Sequence, residues 1–266
     1  NDMVKSVEDK LSDDTFLERN GIKLTEFDGK KYHVIRDIIL NGDDVTYVIN
    51  SKLALDSAAI FISNIESNSF PLTDKPMSCC AGVALMHSHY TFGNACDIAE
   101  QCCSLAKRKA KAEGKGNIKS YIDFHICRGV ISSLDHYRKK NYMFPGEEPE
   151  ERGTGTLKYY LYNFLERPWL VNGKSNELDW NCFKKMYVDL LYKNGNNKPW
   201  PRSRLKELQS KFHLGWEEVK EYLFECKSRG YILPGVDIEG IDYDRKLAAY
   251  YDVIELMDYF ALIEGV

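Results

Sequence analysis

Residues 32–50 read YHVIRDIILNGDDVTYVIN. The run from Tyr32 to Leu40 is β-branched and apolar enough for a strand, and Val45 to Ile49 reads as a second one. Between them stands Asn41-Gly42-Asp43-Asp44. Asn-Gly between two such runs is the strongest short-range hairpin signal, because both residues tolerate the positive φ of a tight turn. A hairpin tipped by two adjacent carboxylates is therefore expected here.

Outward from the hairpin, Asn50-Ser51 offers an N-cap, and Ala54, Ala58, Phe61, Ile62 and Ile65 recur at helical spacing. Pro71 and Pro76 bound a loop. Ser78 to Ser88 is apolar on both faces, as in a strand covered on two sides. Phe92, Ala95, Cys96, Ala99, Cys102, Cys103, Ala106 and Ala110 mark one stripe of a long amphipathic helix that ends near 114–116. Tyr121 to Cys127 then alternates, with Ile122, Phe124 and Ile126 on one face and Tyr121, Asp123 and His125 on the other. The order strand, strand, helix, strand, helix, strand describes an α+β, ferredoxin-like domain, an antiparallel sheet packed by helices.

Ahead of the hairpin, Ser12-Asp13-Asp14 caps a short helical turn, Asn20-Gly21 and Asp28-Gly29 are turn dipeptides, and no buried strand is expected before Tyr32. Behind the sheet, residues 145–151, PGEEPEE, form a breaker-rich acidic stretch that suits a boundary or an exposed loop. Beyond it, 157–165, 181–192, 202–212, 216–228 and 245–263 each space their apolar residues as helices do. The expected organisation is one domain over 1–144 and a helical region over 145–266, without internal repeats.

Composition limits the function classes. Of 266 residues, 44% are hydrophobic and 29% charged, which excludes a disordered or collagen-like chain. Apolar runs such as 81–86 fall far short of the roughly 20 residues needed to cross a bilayer, and the charged opening residues do not resemble a signal peptide. A formal charge of −4 argues against coating nucleic acid by bulk charge, while leaving local phosphate contacts open. The eight cysteines contain no C-x-x-C and include two adjacent pairs, so they read as small buried thiols of a reducing compartment, the cytoplasm.

Asp43 and Asp44 can reach a shared metal only where the turn bends the chain, since strand neighbours point to opposite faces. Gly42 leaves room for a phosphate or metal beside the backbone. Mg²⁺ is held in this way, by one or two carboxylates plus substrate phosphates. The chemistry implied is nucleotidyl transfer, in which ions about 4 Å apart activate the attacking hydroxyl and stabilise the leaving pyrophosphate. The alternative is a plain turn, for these are also the residues that tight turns prefer.

Four features occur together: the acid-tipped hairpin, the strand ending Met86-His87-Ser88-His89-Tyr90, the helix Ala99-Glu100-Gln101 running into Lys107, and Ile122-Asp123-Phe124-His125. Over about residues 30–130 the chain resembles the second palm domain of the polymerase-like large subunit of type III CRISPR effector complexes, a relative of GGDEF nucleotide cyclases. The resemblance implies a GGDD-type hairpin that binds metal, Mg²⁺ or Mn²⁺, and ATP or another nucleoside triphosphate. It further implies a cyclic oligoadenylate product, antiviral defence as the setting, and other effector-complex subunits and guide RNA as partners. By the same resemblance Lys107 and Lys111, one turn apart, meet the triphosphate. Their alternative role is to complement the helix dipole as solvated cations of the basic stretch Lys107, Arg108, Lys109, Lys111, Lys115 and Lys119.

Three departures accompany the resemblance. Asn41 replaces the first glycine, though Asn also accepts positive φ. The further acid that the family draws from a strand before the hairpin has no counterpart, because Asp2, Asp9, Asp13, Asp14 and Asp28 lie in polar, turn-like surroundings. No His-Asp dipeptide marks the family's attached nuclease domain. A catalytically silent palm that scaffolds a ribonucleoprotein is thus the second expectation.

Other candidates carry less. His87 and His89, on one face of a strand end, suit zinc only if a third ligand approaches, and otherwise read as a satisfied structural pair. Asp237, Glu239, Asp242 and Asp244 do not match a calcium loop. Residues 202–230 have a helix-turn-helix shape without a one-sided basic face. No nucleophile motif or phosphate-binding G-x-x-x-x-G-K occurs.

Overall fold

The computed structural model describes every residue except 1–4, 6, 10–11, 33–34, 42, 68–76, 114–118, 175–176, 193–197, 239–244 and 264–266. The chain divides into two compact units, residues 1–78 with 258–265, and residues 79–257 with 266. Both helices and strands are present, so the fold class is α+β.

In the first unit Asp13 caps helix α1 (Asp14–Asn20), accepting from the Phe16 N–H at 3.1 Å. Strands β1 (Thr25–Phe27) and β2 (Lys30–Tyr32) close around Asp28 and Gly29, both at positive φ. The turn dipeptide was legible there, and the short strands beside it were not. The expected hairpin follows as β3 (Arg36–Asn41) and β4 (Asp44–Val48), antiparallel, with an irregularity between Asp37 and Ile39. Asn50 then caps helix α2 (Ser51–Glu66) by accepting from Lys52 N–H at 3.0 Å. Leu53 of α2 is buried with Val7, Leu17, Ile22 and Ile263, and Tyr47 and Ile49 of the hairpin region pack on that cluster. Asp56, buried in α2, accepts from Ile263 N–H at 2.7 Å and so ties the returning C-terminal segment to this unit.

The second unit is built on β5 (Ala81–Leu85), helix α3 (Phe92–Glu113) and β6 (Tyr121–Ile126). β5 and β6 pair in parallel, from Ala81↔Ile122 to Leu85↔Ile126, which their helical crossover requires. The close fit of α3 on β5 depends on Gly82. A Cβ there would stand 2.0 Å from Ala99 O and 2.3 Å from Cys103 N. Beyond β6 come helix α4 (Leu134–Asn141), capped by Ser133, the hairpin β7 (Glu150–Thr154) and β8 (Leu157–Leu161), and β9 (Trp169–Leu170), antiparallel to β6. Helices α5 (Trp180–Leu191), α6 (Arg202–Phe212), α7 (Trp216–Ser228) and α8 (Arg245–Leu256) complete it.

Several expectations change. Residues 157–165 form β8 and the turns after it, not a helix. Their apolar spacing imitates a helical face, but Gly153 and Gly155, both at positive φ, fold the aromatic-rich run back on β7. The acidic stretch 145–151 lies inside the second unit and runs into β7. The last helix stops at Leu256 instead of 263. All six residues of β6 are buried, so both its faces are covered, and β6 is the central strand between β5 and β9. Among the described residues β3–β4 forms a sheet of its own in the first unit, and β5–β6–β9 forms another in the second. All eight cysteines are free thiols. No helix among the described residues is long and apolar enough to cross a membrane.

Candidate functional site

Register defines the hairpin tip. Leu40 pairs with Val45 and Asn41 with Asp44, the last pair before the tip. Gly42 lies outside the described residues. Asp43 occupies the turn and Asp44 opens β4, both exposed. Among the described residues neither carboxylate has a hydrogen-bond or ion-pair partner. The Tyr47 hydroxyl lies 3.2 Å from the Ser57 hydroxyl of α2 and steadies the hairpin base. The strands carry exposed apolar side chains close to the acids: Ile38, Ile39, Leu40 and Val45, with Leu40 at 67% exposure.

Two adjacent carboxylates without cationic partners among the described residues suit a Mg²⁺ that completes its shell with water and phosphate. Among the described residues no group of three His, Cys, Asp or Glu side chains gathers as a metal site. Asp43 and Asp44 belong to the first unit, and Lys107 and Lys111 to the second. Those two lysines lie exposed, four residues apart on α3. His87 and His89 lie in the loop after β5, not on the strand, and are exposed with ring centroids 5.3 Å apart. The strand is shorter than expected because Tyr90 N–H bonds back to His87 O at 2.8 Å, turning the chain. Of the acids considered for calcium, only Asp237 falls among the described residues.

Lys109 departs from the solvated stretch assigned to it. Its ammonium is buried and donates to Pro168 O at 2.7 Å and Glu166 O at 3.2 Å, with the Glu166 carboxylate at 3.6 Å. The signal was present in the sequence, for Lys109 stands on the apolar stripe between Leu105 and Ala112.

The second unit also holds a charged core that periodicity did not reveal. Arg138 of α4 donates to both oxygens of Asp123 on β6, at 2.8 and 3.0 Å, and to Phe124 O at 2.8 Å. Burial works against the Arg138 charge, but Asp123 outweighs it and raises the guanidinium pKa. Arg167 pairs with Glu255 and stands 3.5 Å from Asp252, both acids on α8. Asp252 also accepts from Arg167 N–H at 2.9 Å and Trp169 Nε1 at 2.8 Å. Burial nevertheless pushes Asp252 up to about 7 against the pull of Arg167. His125, 1% exposed, makes no hydrogen bond from either ring nitrogen among the described residues and packs edge-on against Tyr137. Burial, then the charges of Arg138, Arg167 and Arg128, drives its pKa down to about 2, which keeps the ring neutral. Asp123 and His125 of the D-F-H motif thus face a protein interior. The available clue was a charge set inside an apolar run, as in YIDFHI and AAYYDVIEL.

Comparison with protein-family models finds none that matches this chain, and a search of curated proteins finds no match either.

Proposed function

We propose that the chain is a palm-type nucleotide-binding domain that uses Asp43 and Asp44 to hold Mg²⁺ or Mn²⁺ against a nucleoside triphosphate, ATP first, and acts in nucleotidyl transfer. The observation that carries this reading is the hairpin tip: two consecutive carboxylates, exposed and without cationic partners among the described residues. Bound metal would supply charge neutralisation at the phosphates and activation of a hydroxyl. The protein's share is to present both carboxylates from consecutive positions at the tip of a paired hairpin, so that little conformational freedom is lost on binding. The sequence resemblance supplies the finer assignments: a ferredoxin-like palm, a cyclic oligoadenylate product, an effector-complex setting in antiviral defence, and the cytoplasm.

The second reading, a silent palm that scaffolds a ribonucleoprotein, has its own support. Asp123 and His125, from one of the four features behind the resemblance, are committed to the buried core of the second unit. Calorimetric titration with ATP and Mg²⁺ separates the two. Metal-dependent binding lost in Asp43→Ala, with the fold intact by circular dichroism, is the outcome expected of a nucleotide site. Equal affinity in the variant leaves the scaffold reading.

A further inference from the structure

The parallel pairing of β5 and β6 carries two loops to one end of the sheet. Leu85 and Ile126 are register partners, and Cys127 N–H donates to Leu85 O at 2.8 Å, so the chain leaves both strands side by side. The first loop presents His87 and His89, the second Arg128, all three exposed. Tyr90 fastens one loop to the other, its hydroxyl donating to Gly129 O at 3.0 Å. Within the first loop His89 N–H donates to His87 Nδ1 at 3.3 Å. A neutral His87 ring therefore carries its proton on Nε2, as a donor. Arg138 and Arg167 are matched by acids, whereas Arg128 has no carboxylate partner among the described residues. The acid that follows in this region, Asp135, is already engaged by Lys139 at 2.8 Å and the Tyr162 hydroxyl at 2.6 Å.

Ligands of sheets with parallel strands gather outside the carboxyl ends of those strands. The donors here are a guanidinium fork and imidazole N–H groups, which match phosphate oxygens. We infer that the rim formed by His87, His89 and Arg128 is a second binding site, for a phosphate group, separate from the acid-tipped hairpin. Two sources share that chemistry, a free phosphate or nucleotide and the phosphodiester backbone of a single strand.

Titration of the whole chain with inorganic pyrophosphate in the presence of a chelator tests the site without engaging metal at Asp43 and Asp44. Binding is expected, weakened about tenfold or more by Arg128→Ala and to a smaller degree by His87→Ala, since one charge-assisted contact is of that order. Both side chains are exposed, and circular dichroism checks that the variants fold. An oligonucleotide without terminal phosphates that displaces pyrophosphate assigns the backbone as the source; failure to displace assigns free phosphate. The inference is overturned if pyrophosphate does not bind, if Arg128→Ala leaves affinity unchanged, or if Lys107→Ala and Lys111→Ala weaken binding instead. Loss of metal-dependent ATP binding in Asp43→Ala is read independently, so either site can fail without the other.

Discussion

Arg138 on α4 grips Asp123 on β6 through two hydrogen bonds, and neither side chain is reached by solvent. Removing one partner strands the other as a buried charge, which typically costs about 3–5 kcal/mol. Asp123→Ala is expected to lose that much stability in urea unfolding, and an apolar double replacement, Asp123→Leu with Arg138→Met, to recover most of it. A loss no greater than that of a surface substitution would show that the pair is not what anchors α4.

Lys109 and Lys107, two residues apart on α3, should respond in opposite ways. Lys109 satisfies two backbone carbonyls and faces Glu166 out of solvent, so Lys109→Ala should cost about 3 kcal/mol. Lys107 is exposed, and Lys107→Ala should stay within about 0.5 kcal/mol. Thermal melts of the two variants make the comparison, and equal shifts would contradict the placement of Lys109.

His125 sets a dependence on acid. Its native pKa, near 2, lies below the roughly 6.5 of an unfolded histidine, so the unfolded chain takes up a proton that the native chain refuses. The sign follows: stability is intact above about pH 6.5 and falls as pH drops toward 2, by about 2 kcal/mol at pH 5. Asp252, raised to about 7, contributes in the opposite sense, losing stability as pH rises from about 4 through 7. The difference between wild type and His125→Leu isolates the histidine. The variant's advantage should be larger at pH 5 than at pH 8, and an advantage independent of pH would contradict the assignment.

Gly82 has no room for a methyl group, because the atoms a Cβ would strike are backbone atoms of α3. Gly82→Ala should cost about 1–3 kcal/mol, the usual range for overpacking. Gly93, with open space around it, is the control, and Gly93→Ala should cost far less. Matching melting temperatures would mean that α3 sits farther from β5 than described.

What the sequence disclosed follows from the range of each interaction. The β3–β4 hairpin could be read because turn residues stand between two β-branched runs, whereas its register, which keeps Asn41 in β3 opposite Asp44, could not. Helices α6 and α7 could be read because their apolar spacing is regular and their ends are marked by Pro201, Gly215 and Gly230. Residues 157–165 misled because Leu157, Leu161, Phe164 and Leu165 recur at helical intervals, while the deciding turn glycines lie outside the run. The Arg167–Glu255 and Arg138–Asp123 pairs join residues 88 and 15 positions apart, and no local pattern encodes such partnerships. At the hairpin, chemistry could be proposed from two adjacent acids, whereas the rim at His87 and Arg128 depends on which strands are neighbours.

The most direct measurement is mass spectrometry of the purified chain incubated with each nucleoside triphosphate and Mg²⁺ or Mn²⁺, beside the Asp43→Asn, Asp44→Asn double variant. The expected result is a new phosphodiester product, greatest with ATP, that disappears in the variant. Failure to form product with any triphosphate, or a product that persists when both carboxylates are gone, would contradict a nucleotidyltransferase at the hairpin.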